Sequence, residues 1–235
     1  MQRRPDQDVG CEPRPERGAM KQNLLFSFLL ALTTVAALLV VAQFSGTDSP
    51  DAPDLSASET QDLLVRSDSR RISDAPSGAV EFVEFLDFEC EACRAAHPAV
   101  TELRERYGDQ VSFVVRNFPL HANSEAAARA AEAAAEQGFY VEMIDLLFET
   151  QPEWGEKRSS QDEVFVGLAE QLGLDMERFR SDFADPAPLE LIRRDKADGL
   201  ALGVQGTPTF FLDGQMLQPR SLDDLVAAFE EVLAE

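Results

Sequence analysis

The run Val83-Glu84-Phe85-Leu86-Asp87-Phe88-Glu89-Cys90-Glu91-Ala92-Cys93 decides how this chain is read. Its first half continues an apolar segment that begins at Val80, rich in the aromatic and β-branched residues of a buried strand. Its last four residues, Cys90-Glu91-Ala92-Cys93, open a segment with helical patterning that reaches Tyr107. A strand that delivers two cysteines, two residues apart, to the head of a helix makes a dithiol able to close into a disulfide. The orphan N–H groups and the macrodipole of a helix N-terminus favour negative charge, so the outer thiol loses its proton well below the free value of about 8.5. Cys90 is therefore the expected reactive thiolate. Cys93, one helical turn on and more buried, is the expected resolving thiol.

Outward from this motif, the composition sets bounds. A chain of 235 residues with 44% hydrophobic content has enough apolar surface for one or two packed domains. Only three cysteines are present, and Cys11 stands far upstream among Pro, Arg, Asp and Glu, so no framework of structural bridges is expected. The formal net charge of −22 argues against nucleic acid or anionic lipid as partners of the folded part. Neither a Gly-rich phosphate cradle nor a G-x-S-x-G element occurs, and no cofactor is expected.

The N-terminal quarter carries a different signal. From Leu24 to Ala42 there is no charge, and roughly 19 helical residues span about 28 Å, close to the hydrocarbon thickness of a bilayer. Arg3, Arg4, Arg14, Arg17 and Lys21 precede this run, whereas Asp48, Asp51 and Asp54 follow it. The positive-inside rule then makes residues 1–23 a cytoplasmic tail, residues 24–42 a transmembrane segment, and everything after it extracytoplasmic. The length of the run favours an uncleaved anchor, while Val40-Val41-Ala42 leaves a cleaved signal as the alternative. Met20-Lys21 offers a second start site, in which case Cys11 is not translated. Residues 43–62 read as a polar linker and residues 63–235 as the folded domain.

Within that domain the patterning predicts an edge strand at Leu63–Val65, a buried strand at Val80–Leu86, a helix at Glu91–Tyr107 and a strand at Val111–Phe118. Five helical segments follow, over 124–137, 140–149, 161–172, 175–184 and 188–202, with Asn123-Ser124 and Ser160 as caps. Strands at 209–212 and 215–217, joined by Asp213-Gly214, precede a last helix at 221–233. This is the order of an α/β, thioredoxin-like fold with an all-helical insertion, at about 122–202, after its central strand. Trp154 and Phe210-Phe211 read as core.

Three segments in this order carry a family resemblance: Val83 to Cys93, then Arg116-Asn117-Phe118-Pro119-Leu120-His121, then Gly203-Val204-Gln205-Gly206-Thr207-Pro208-Thr209-Phe210-Phe211. From about Leu63 to its end the chain resembles the DsbA-like thiol–disulfide oxidoreductases, notably the membrane-tethered bacterial ones. The resemblance implies that Pro208 is a cis-proline facing the redox pair and that the backbone of Thr207 docks an extended client segment by strand addition. It implies a further role for Glu84, which shares a strand face with Phe82 and Leu86. There a buried carboxyl of raised pKa relays protons to and from Cys93.

Between the cysteines, strong oxidants of this family often carry a histidine, and here Glu91-Ala92 stands instead. Glu91 suits the helix dipole yet opposes a charge on Cys90, so these two positions are expected to temper the oxidising power of the pair. The implied activity is extracytoplasmic: disulfides are introduced into exported client proteins through Cys90 and Cys93, and a quinone-linked membrane partner reoxidises the pair. A reductase or isomerase of the same fold uses the same thiols in the other direction. A membrane-tethered holdase that has lost catalysis is a third reading, and the intact dithiol argues against it. Cys90, Cys93, His97 and His121 can be written as a zinc set, but the histidines lack the compact H-x₃₋₅-H spacing. No metal is expected, and His121 reads as a surface residue or one facing the insertion.

Overall fold

Five strands and eight helices run through residues 55–73 and 75–234, the part of the chain that the computed structural model describes. The first helix, α1 (Ala57–Leu64), starts at a capping box: the Ser56 side chain accepts from the Glu59 N–H and the Glu59 carboxylate accepts from the Ser56 N–H. Then come β1 (Arg70–Arg71), β2 (Val80–Leu86), α2 (Glu91–Tyr107) and β3 (Val111–Asn117). The insertion contributes α3 (Ser124–Ala135), α4 (Tyr140–Trp154), α5 (Asp162–Gln171), α6 (Met176–Ala184) and α7 (Ala187–Ala201). The chain closes with β4 (Thr209–Leu212), β5 (Gln215–Met216) and α8 (Leu222–Val232).

The sheet order is β1-β3-β2-β4-β5, so the strand that feeds the cysteines is central. It runs parallel to β3, with Val80 opposite Val111 and Leu86 opposite Asn117, and antiparallel to β4, with Phe82 opposite Leu212 and Phe85 opposite Thr209. Parallel neighbours need a crossover, and α2 supplies it. Alternation along β2 sends Phe82 to one face, where it packs with Val100 and Leu103 of α2 and Phe229 of α8. Val83 and Phe85 go to the other face, against Leu64, Phe118 and Leu202. Burying each such side chain contributes roughly 1.5–3 kcal/mol. Asp213 and Gly214 both take positive φ, 48° and 80°, the geometry of the tight turn that joins β4 to β5.

The alanine-rich run of α3 has a packing reason. Ala127, Ala128, Ala130, Ala131, Ala133 and Ala134 are all buried, and α3 packs against α4, α5, α6 and α7. Small side chains on several faces let four helices approach one, and alanine is also the strongest helix former. Around it stand Met143, Leu147, Trp154, Phe165 and Phe179. Arg116 of β3 ties the insertion to the sheet. Fully buried, it donates to Asp195 at 2.8 Å, to Asp198 at 2.6 Å and to the carbonyls of Leu63 and Leu64. Arg66 adds a fork onto Asp198 at 2.5 and 2.6 Å.

Some expectations are corrected. Leu63–Val65 is not a strand: Leu63 and Leu64 end α1, Val65 is its C-cap, and the edge strand is Arg70–Arg71, antiparallel to β3. The same helix takes in residues 57–62, which read as linker from their polarity. The insertion leaves from β3, which lies beside the central strand rather than at the centre. Asn123 sits at the N-cap of α3 without capping it; its amide donates to the Lys157 carbonyl instead. The N-cap residue of α5 is Gln161 rather than Ser160. The transmembrane segment 24–42, Cys11, the start-site question and residues 43–54 of the linker lie outside the described residues. Among the described residues no helix is long and apolar enough to cross a membrane.

Candidate active site

Cys90 ends the loop after β2 as the N-cap of α2, in extended conformation (φ −75°, ψ 121°), and its N–H donates to the Asp87 carbonyl at 3.1 Å. Both cysteines are free thiols; Cys90 is half-buried and Cys93, one turn on, has no exposed surface. The Cys90 thiol donates to the Thr207 carbonyl at 3.3 Å, across the cis Thr207–Pro208 bond that precedes β4. The structure thus brings Cys90, Cys93, Thr207 and Pro208 together.

A hydrogen bond from the Cys93 thiol lowers the Cys90 pKa to about 5. Burial opposes the shift, and the Thr207 side chain and the N–H groups of Cys93 and Ala92 reinforce it. The Thr207 hydroxyl has no hydrogen-bond partner among the described residues, which leaves it available to the thiolate. Cys93 is driven far the other way, first by burial, then by its bond to Cys90 and the charge of Glu84. The Asp87 N–H, 3.5 Å from the Cys93 sulfur, favours its anion and is outweighed. One sulfur is a ready nucleophile or leaving group and its neighbour holds its proton: the division of labour a thiol–disulfide exchange needs.

Glu84 lies in the middle of β2, between Val115 and Phe210 on the neighbouring strands, and is 5% exposed. Burial alone raises its pKa to about 8. Glu91 and Ala92 are the first two residues of α2, both exposed, so the Glu91 carboxylate faces water beside the pair.

The loop between strand and cysteine is held by residues that spacing does not reveal. Buried Asp87 accepts from the Glu89 N–H (2.8 Å), the Leu120 N–H (2.7 Å), the Ser124 hydroxyl (2.5 Å) and the His121 ring (2.6 Å). Buried Glu89 accepts from the N–H groups of Asn123 (2.6 Å) and Glu156 (2.9 Å). Gln151 of α4 donates to the carbonyls of Phe88 (2.8 Å) and Cys90 (3.0 Å) and accepts from Arg94. The insertion is therefore the mould of the redox loop. The available signal was Asp87 and Glu89, two acids flanking Phe88 in an otherwise apolar stretch.

His121 faces both solvent and this loop: its side chain is about half exposed, and Asp87 anchors it. Burial works against its positive charge, but the bond to Asp87 and the charges of Asp87, Cys90 and Glu89 outweigh it, so its pKa is raised. His97 instead meets Asp145 at 2.8 Å and lies over the Phe148 ring. Among the described residues no group of three or more His, Cys, Asp or Glu is arranged to hold a metal ion. Trp154, Phe210 and Phe211 are core.

A family model described as Thioredoxin (Thioredoxin_4) matches residues 72–231. Among solved structures, the thioredoxin-like oxidoreductase from Silicibacter pomeroyi DSS-3 aligns with TM-score 0.63 and 28% identity, over 74% of this chain and 98% of that one. The thiol-disulfide exchange protein alpha-DsbA2 from Wolbachia pipientis aligns with TM-score 0.63 and 22% identity, over 74% of this chain and 92% of that one. A curated relative, Na(+)/H(+) antiporter NhaA of Herminiimonas arsenicoxydans, is 41% identical over 136 residues, 58% of this chain but 21% of that protein. The chain spans about a fifth to a third of the length of the curated relatives it matches, whose names describe the longer proteins. With most of its described residues inside the family model, the chain belongs to this thioredoxin family and has the DsbA-like form of its fold.

Proposed function

We propose that the chain is an extracytoplasmic thiol–disulfide oxidoreductase that introduces disulfides into exported proteins. The observation that carries this reading is the asymmetry of the pair: Cys90 ionises near pH 5 while Cys93 stays protonated. A stabilised thiolate favours the reduced form of the pair, so the oxidised form tends to take electrons from clients. In the forward reaction a client thiolate attacks Cys90 of the Cys90–Cys93 disulfide, and Cys93 leaves with the bonding electrons and a proton. A second client thiolate then attacks the client sulfur of the mixed disulfide. The client leaves oxidised and Cys90 leaves as thiolate, two electrons having passed to the pair. Thr207, whose carbonyl already meets Cys90, docks the client backbone beside the reacting sulfur. Glu84 takes and returns the Cys93 proton. The apolar, charge-flanked run at 24–42 supports a membrane tether with the domain outside, where a quinone-linked partner regenerates the disulfide.

The test is equilibration of the chain with a glutathione redox series. A potential of about −120 to −180 mV supports the oxidant, and one near −270 mV overturns it in favour of a reductase or isomerase.

A further inference from the structure

Glu84 is not sealed in. It lines a narrow cleft between β2, α2 and α4 with about 10 Å³ of water-accessible space, room for a single water. The other polar walls of the cleft are His97, Thr101, Arg104 and Asp145. Ile72, Leu86, Val100, Val115, Val141 and Ile144 make the rest of that wall apolar. On the outer side a second, open groove walled by Arg94 and Phe148 shares His97, Thr101 and Asp145 with the cleft. His97 therefore stands where the two meet, its side chain 21% exposed and its Nε2 2.8 Å from Asp145. The side chain of Asp145 is 48% exposed, facing water.

We infer that His97, held in place by Asp145, is the surface end of a proton path that serves Glu84 and, through it, Cys93. The inference rests on the relay role proposed for Glu84. A buried carboxyl that exchanges a proton with Cys93 must pass it on each turnover, and no hydrogen-bonded side chain among the described residues does so for Glu84. A single water admitted between Glu84 and the polar side of the cleft, followed by an imidazole that accepts on one nitrogen and releases from the other, completes the route. When Cys93 resolves a client held on Cys90, its proton goes to Glu84, and its electron pair forms the Cys90–Cys93 bond. The client sulfur departs as thiolate, and the proton leaves by way of His97. Other charged groups near the path are Arg94, Glu102, Arg104 and Glu105 of α2 and Glu149 of α4. His97 acts here as a positioning and relay residue, without touching the sulfurs.

The experiment follows single-turnover resolution of a client peptide bound to Cys90 of the full chain, across pH, in the parent, Glu84→Gln, His97→Ala and Asp145→Asn. The expected result is a rate about tenfold lower in His97→Ala, restored by added imidazole entering the groove, with a smaller loss in Asp145→Asn and an altered pH profile in both. If Glu84→Gln slows resolution while His97→Ala leaves rate and profile unchanged, the path is overturned and the relay survives. If Glu84→Gln has no effect, both fall. A loss in His97→Ala that imidazole does not restore, accompanied by a lower melting temperature, makes His97 structural and also overturns the path.

Discussion

Asp87 Oδ2 lies 2.6 Å from Nδ1 of His121, joining the loop that carries the redox pair to the segment that begins the helical insertion. The same carboxylate takes two backbone N–H groups and the Ser124 hydroxyl, so replacing it strands several donors at once.

Asp87→Ala should lower stability by about 2–4 kcal/mol, from buried donors left unsatisfied, with an unchanged denaturant m-value. His121→Asn should act through pH. A histidine whose pKa is raised by folding adds stability that is complete below its unfolded value and is lost as pH rises through the folded one. Urea midpoints of parent and His121→Asn should differ in mild acid and converge in alkali; a gap that is constant with pH contradicts the ion pair.

Titration of thiolate absorbance near 240 nm should show one transition near pH 5, absent in Cys90→Ser. Glu91→Gln should lower that midpoint by less than about one unit, because Glu91 is exposed and its charge is screened, whereas the bonds from Cys93 and the helix N–H groups are not. A shift of two units or more would reverse this ranking and make Glu91 the main control of the pair.

Glu84 sets a stability profile of its own. Its folded pKa of about 8 lies above the ordinary 4.5, so the unfolded chain gives up this proton first and stability falls between those values. Glu84→Gln should remove the fall and be more stable than the parent at pH 8, by on the order of 2–4 kcal/mol. Denaturation at pH 5 and pH 8 checks this; an equal fall in both proteins rules it out.

Arg116 and Arg66 both bind Asp198 but differ in burial, 0% against 34% side-chain exposure. Arg116→Met leaves buried Asp195 with only the Asn117 donors and no opposite charge, strips the Leu63 and Leu64 carbonyls of their donor, and should destabilise by about 3–5 kcal/mol. Arg66→Ala should have an effect of about 1 kcal/mol or less. Comparable losses in thermal unfolding would contradict the assigned burial.

Much of the fold is legible in the sequence, for a physical reason. The buried strand Val80–Leu86, the helix Glu91–Tyr107 and the strand Thr209–Leu212 have the bounds their patterning predicts, because apolar periodicity and turn residues act locally. The insertion's five helices follow from the same signal. By contrast β1 consists of two arginines and exists only through its pairing with β3. The α1 helix carried its capping box in Ser56 and Glu59, but its polar composition read as linker. At the site, the thiols show themselves by spacing, and Pro208 by the family resemblance of its segment. Asp87, Glu89 and Gln151 act on partners more than thirty residues away, and no local pattern encodes such a meeting.

Gln151 spans the carbonyls of Phe88 and Cys90 from a helix inside the insertion. For protein engineering this means that the sheet and the two cysteines are not a transplantable module. A minimal redox domain made by excising 122–202 would keep every strand and both thiols, yet lose Gln151, Ser124 and the Asn123 and Glu156 amides together. A chimera should instead exchange the loop and its helical mould as one piece.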